Sequence, residues 1–249
     1  MEKLYVLGTG YALATRCYNT CFAIANDHGT LLVDAGGGNG ILRQMEDADL
    51  SFADVHDLFI THAHPDHLNG VVWVMRKIMT MMNAGKYDGE FHIYCHETVR
   101  RGLEMIGELM LQKKMLKHIG SRVLFHDTTD GMQAALCGYD VTFFDIGSTK
   151  LLQFGFTTTL MNGKKLTCLG DEPYNPICEA YVQGSVWLLC EAFSLVTVYL
   201  NFNDTDTNVI FGKEFQLVHG TGVFEAEVRS ITTEKDQKLY LDVADAELM

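Results

Sequence analysis

A chain of 249 residues with no shift in composition that would mark a linker can bury one large core, so a single domain over 1–249 is expected. Its residues are 47% apolar, yet no apolar run approaches the roughly 20 residues needed to cross a bilayer, so no membrane span and no membrane partner are expected. The formal charge of −13 argues against an extended nucleic-acid footprint, which needs excess Lys and Arg on the binding face, but only weakly against a small phosphoester, because bound metal ions add positive charge locally.

The opening Met1-Glu2-Lys3-Leu4-Tyr5-Val6-Leu7-Gly8 enters a short apolar run without the basic start and long apolar middle of an export signal. Seven cysteines at irregular positions (17, 21, 95, 137, 168, 178, 190) make no disulfide framework, so reduced thiols and a cytoplasmic location are expected. Residues 4–7, 21–25 and 30–34 read as strands, the second and third flanking the hairpin loop Asn26-Asp27-His28-Gly29. Asp34 ends the third strand against Gly36-Gly37-Gly38, where the backbone must turn tightly or approach something closely. It is either a turn residue or a carboxylate that orients a metal-binding histidine.

The stretch Leu58-Phe59-Ile60-Thr61-His62-Ala63-His64-Pro65-Asp66-His67 brings four potential metal ligands, His62, His64, Asp66 and His67, into one turn behind an apolar strand. Zinc takes imidazole and carboxylate ligands, and a catalytic site keeps one position open for water. Crowded imidazoles repel one another once two are protonated, whereas a bound dication holds them deprotonated. The order His-x-His-x-Asp-His is a pattern and not a composition bias.

Beyond it, Val71, Met75, Ile78 and Met82 form one face of a helix ending near Gly85. His92–Cys95 is a strand, and 97–119 a second helix with Val99, Leu103, Ile106 and Met110 inward and Lys113, Lys114 and Lys117 near its C-terminal end. Further strands fall at 122–125, 139–145, 154–160, 165–169 and 186–190, and the alternation points to sheets covered by helices. Gly170-Asp171, behind one of these strands, is a turn on its own and the natural source of a bridging ligand beside a metal cluster. Glu191, at the end of another, is either a buried, satisfied carboxylate or a proton handler.

Together His62-Ala63-His64-Pro65-Asp66-His67, Val33-Asp34-Ala35-Gly36, Leu7-Gly8-Thr9-Gly10, Gly170-Asp171 and Cys190-Glu191-Ala192 resemble the metallo-β-lactamase superfamily. Within it they are similar to ribonuclease Z and its relatives, over residues 1 to about 193. The resemblance implies an α/β fold, the αββα four-layer sandwich, with two divalent metal ions at one edge. Zinc is the expected metal, and manganese or iron fits the same mixed ligands. The resemblance places His62 and His64 on the first metal, Asp66 and His67 on the second, and Asp171 between them. A metal-bound hydroxide would attack phosphorus or carbonyl carbon, with Asp66 orienting it or accepting its proton. The superfamily's third histidine for the first metal falls at Gly147, with Asp145 and His126 as nearby substitutes. The proton-donating histidine of ribonuclease Z relatives falls at Cys190, beside Glu191. The last ligand corresponds to His219, which as a strand-end residue could serve but as a lone histidine is more often ordinary, and residues from about 194 depart from the pattern.

The expected function is hydrolysis of a small-molecule or nucleic-acid phosphodiester. A carboxylic ester, thioester or lactone would suit the same chemistry, and the gap at Gly147 leaves open a metal-binding member with little catalysis. Fold alone does not separate these. Dimerisation to complete the pocket also stays open.

Overall fold

The computed structural model describes residues 2–172 and 174–190, and the backbone of strands at 208–211, 224–233 and 239–248. Glu191 and His219 lie outside the described residues.

Two six-stranded sheets form the body. The first runs in chain order through β1 (Lys3–Gly8), β2 (Cys21–Asn26), β3 (Gly29–Val33), β4 (Val55–Phe59), β5 (Phe91–Cys95) and β6 (Val123–Asp127). Its first three strands pair antiparallel through the predicted hairpin, and β3 to β6 are parallel. Parallel neighbours need crossover segments, and these supply α1 (Gly40–Asp47), α2 (Pro65–Asn83), α3 (Glu97–Met110) and α4 (Lys113–Leu116). The second sheet contains β7 (Gln133–Leu136), β8 (Tyr139–Asp145), β9 (Phe154–Thr159) and β10 (Lys165–Cys168). After a short α5 (Glu179–Val182), it adds β11 (Trp187–Cys190) and β12 (Asn208–Phe211), parallel to β10. A separate antiparallel pair, β13 (Phe224–Thr233) and β14 (Leu239–Leu248), follows.

Alternation along the strands sorts the side chains into layers. Leu32, Leu58 and Ile93 face the helices and meet Val71, Met75 and Ile78 of α2. Leu31, Val33 and Phe59 face the second sheet, where Phe59 lies 5.0 Å from Phe143 and edge-on to Phe156. On the far side of that sheet, Tyr181 of α5 stacks on Phe144 at 4.1 Å and 4°. The order is helix, sheet, sheet, helix.

Three readings need correction. The helix expected over 97–119 is broken after Met110, because Leu111 leaves the helical conformation (ψ 148°) and buries in the core. Met110 is consequently exposed and not inward, and Lys113 and Lys114 belong to α4. Helix α1 and strand β7 are additions to the sequence reading.

Candidate metal centre

The site forms where the C-terminal ends of β3, β4 and β10 meet. Strand β3 delivers Asp34, β4 delivers Thr61 and His62, and the turn after β10 delivers Asp171. Helix α2 starts at once, with His64 as its N-cap, Pro65 at the first position and Asp66 in the first turn. Proline is preorganised for that position and loses no hydrogen bond there, and the helix N-terminus places partial positive charge beside Asp66. Backbone bonds from Ala35 N to His67 O (3.1 Å) and from Gly70 N to Gly36 O (2.7 Å) tie α2 to the loop after β3.

The histidines are buried and specifically bonded. Asp34, 3% exposed, accepts from Thr61 N at 2.9 Å, Thr61 Oγ1 at 2.8 Å and His67 Nδ1 at 2.8 Å. Of its two readings, the geometry matches the carboxylate that orients a histidine. His62 Nδ1 lies 2.8 Å from Thr61 Oγ1, and His62 Nε2 lies 2.8 Å from His64 Nδ1. Among the described residues, His67 Nε2 is buried without a hydrogen-bond partner, 3.6 Å from Asp66 Oδ2 and 3.8 Å from Asp171 Oδ2. Asp171 Oδ2 is 3.9 Å from His62 Nε2. One donor atom each from His62, His67 and Asp171 therefore lies within 4.8 Å of the others.

Without metal the two buried imidazoles are driven to opposite states. Burial, then the neighbouring rings of His67, His64 and His96 and the Lys150 ammonium, push His62 down to about 2. Burial acts on His67 in the same sense, but Asp34, Asp171 and Asp66 outweigh it and carry His67 up to about 9. A buried polar atom left unbonded costs about 1–3 kcal/mol, and His67 Nε2 is such an atom, aimed at two carboxylates. Two imidazoles and a carboxylate converging there fit a divalent metal.

The expected replacements for the third histidine do not reach this cluster. Gly147 has φ +69, and a Cβ there would meet Ile177 and Asn175, not the histidines. Asp145 accepts from Gly147 N at 2.8 Å within its own turn. His126 stacks on Tyr94 and bonds His92 at 2.9 Å. The same segment instead supplies a polar rim. Ser148 Oγ donates to Glu172 at 2.7 Å, and Lys150 Nζ lies 3.5 Å from the same carboxylate. Cys190 is buried and lines, with Asp34, Cys168 and Asp171, a cavity of about 50 Å³. Sequence reasoning missed Thr61 and Lys150, whose only signals are their places beside the cluster and the Gly147 gap.

A helix-covered double sheet with this cluster at its edge is the metallo-β-lactamase fold. Solved structures agree: the metallo-beta-lactamase fold protein YhfI from Bacillus subtilis superposes with a TM-score of 0.63 at 13% identity, covering 77% of this chain and 72% of that one. Human tRNase Z, short form, superposes at 0.58 and 20% identity, covering 77% and 78%. The family model for Anti-Pycsar protein Apyc1 matches residues 2–146, and the chain belongs to that family. Among curated relatives, Ribonuclease Z from Thermococcus kodakarensis is 31% identical over 119 residues, 39% of this chain and 37% of that protein. Anti-Pycsar protein Apyc1 from Bacillus phage BSP38 is 30% identical over 70 residues, 28% and 27% of the two chains. The matched stretches thus span about a third or less of these relatives. No helix among the described residues is long and apolar enough to cross a membrane.

Proposed function

We propose that the chain is a metal-dependent hydrolase that cleaves phosphodiester bonds, in small molecules or nucleic acid. The observation that carries this is the convergence, among the described residues, of His62, Asp171 and a His67 whose Nε2 has no hydrogen-bond partner there. The residues that would hold metal are His62 and His64 on one side, Asp66 and His67 on the other, and Asp171 between. Zinc is the first choice, with manganese or iron accommodated by the same ligands. His219 is retained as a further candidate ligand. When bound, such ions polarise phosphoryl oxygen and lower the pKa of water.

The chain's own groups divide the remaining tasks. Asp34 holds His67 with Nδ1 occupied and Nε2 facing the site. Asp66, beside the helix N-terminus, would orient an attacking water or take its proton. Lys150, at the rim against Glu172, offers positive charge to an anionic substrate approaching a chain of net charge −13. Glu191 is retained as the carboxylate for the leaving-group proton. The preference for phosphorus over carbonyl carbon rests on the similarity to ribonuclease Z.

The test is a turnover screen of metal-loaded and chelated protein with a chromogenic phosphodiester, a thioester and a lactone. Metal-dependent phosphodiester turnover is expected. Turnover of only the carbonyl substrates would replace the substrate class, and retained metal with no turnover would favour a non-catalytic, metal-binding role.

A further inference from the structure

We propose that Thr61 is a positioning residue of the metal centre: its hydroxyl couples the Asp34 carboxylate to His62, so that one buried carboxylate fixes the ring tautomer of both His62 and His67. This rests on the metal-centre reading above.

The argument is one of proton counting. A hydroxyl has one proton to donate, and an ionised carboxylate only accepts. Asp34 Oδ2 receives Thr61 Oγ1–H at 2.8 Å and His67 Nδ1–H at 2.8 Å, while Oδ1 receives Thr61 N–H at 2.9 Å. With its proton directed at Asp34, Thr61 Oγ1 meets His62 Nδ1 at 2.8 Å as an acceptor. His62 therefore carries its proton on Nδ1 and turns the Nε2 lone pair toward Asp171 and His64. His67 is held the same way directly, with Nδ1 occupied by Asp34 and Nε2 the nitrogen that would bind metal.

The opposite arrangement, with the hydroxyl donating to His62, would put a hydrogen on the His62 nitrogen that must bind metal. It would also take a hydrogen bond from a carboxylate that is 3% exposed and has little water to replace it. Thr61 itself is held at both ends of its peptide, by Asp34 Oδ1 and by Phe154 N, which donates to Thr61 O at 3.0 Å. A ligand histidine's other nitrogen is normally fixed by an outer partner, and losing that partner costs about 10- to 100-fold in metal affinity.

The experiment uses the full chain as wild type, Thr61→Val, which keeps the shape without the hydroxyl, and Thr61→Ser, which keeps the hydroxyl. The His62 tautomer is read in chelated, ¹⁵N-labelled protein from long-range proton–nitrogen correlations, and zinc affinity from competition with a chromogenic chelator. Expected are a single Nδ1–H tautomer in wild type and Thr61→Ser, and a tautomer mixture with about 10- to 100-fold weaker zinc binding in Thr61→Val. An Nδ1–H tautomer and wild-type zinc affinity in Thr61→Val would overturn the proposal. So would an Nε2–H tautomer of His62 in wild type, a result that needs no variant to fold. If wild type took up no zinc, the metal-centre reading would fail by itself. The tautomer in chelated Thr61→Val would then decide the role of Thr61, its loss supporting the coupling and its retention refuting it.

Discussion

Asp34 occupies the left-handed region at φ +55, which non-glycine residues rarely adopt and which commonly marks functional strain. Its backbone N–H is tied to Phe59 O at 2.8 Å, and its carboxylate accepts three hydrogen bonds, two from Thr61 and one from His67. Asp171 differs in being partly exposed and, among the described residues, held by no such network, with its carboxylate facing His62 and His67. Asp171→Asn should therefore lower phosphodiester turnover about tenfold or more while leaving the thermal midpoint nearly unchanged, which activity assays paired with thermal melts would check. Full activity at normal metal loading would reduce Asp171 to a turn residue. Gly147→His, which the sequence alone invites as a gain of ligand, should give no tighter zinc binding. It should lose about 1–2 kcal/mol of stability, because a Cβ at φ +69 is strained and points to Ile177. Chelator competition and urea unfolding would measure both, and tighter zinc binding would mean that the segment turns toward the histidines. The cluster was legible because its residues are neighbours in sequence. Thr61 was not, since a threonine at a strand end has no distinguishing spacing and its role depends on Asp34, 27 positions away.

At the scale of elements, α2 sets the geometry. Its predicted apolar face, Val71, Met75, Ile78 and Met82, is buried as a stripe against the first sheet, and its first turns are tied to the loop after β3. Gly70 permits that approach, because a Cβ there would fall 1.7 Å from the Ala35 carbonyl oxygen. Gly70→Ala should cost about 1–3 kcal/mol in urea unfolding and weaken zinc binding at the same time, since the helix carries Asp66 and His67. Unchanged stability and affinity would show that the loop yields at no cost. Periodicity made α2 readable, and alternation with turn residues made most strands readable. The break after Met110 was hidden, because an apolar residue at 111 suits a continuing helix as well as a chain that leaves it to bury Leu111. Helix α1 was hidden by the glycine-rich stretch before it, and β7 by its four-residue length.

For the whole molecule, the opposed states of His62 and His67 predict a pH optimum of stability in the chelated chain. A His67 held at about 9 against an unfolded value near 6.5 contributes stability that is complete below about 6.5 and is lost as pH rises through 9. A His62 held at about 2 acts in the other direction, since the unfolded chain gains a proton below about 6.5 that the folded chain refuses. Urea unfolding of chelated protein should therefore show these two contributions jointly favouring pH near 6.5, and saturating zinc should flatten the fall between 7 and 9, because ligand histidines are deprotonated. Monotonic loss of stability from pH 5 to 9, with or without zinc, would contradict the assigned states. The most direct test of the metal centre itself is elemental analysis of the wild-type chain and a His62→Ala, His67→Ala double variant after identical purification and gel filtration. Retained zinc, manganese or iron in wild type, and none in a double variant with an unchanged circular dichroism spectrum, is the predicted result; equal metal in the two would contradict it.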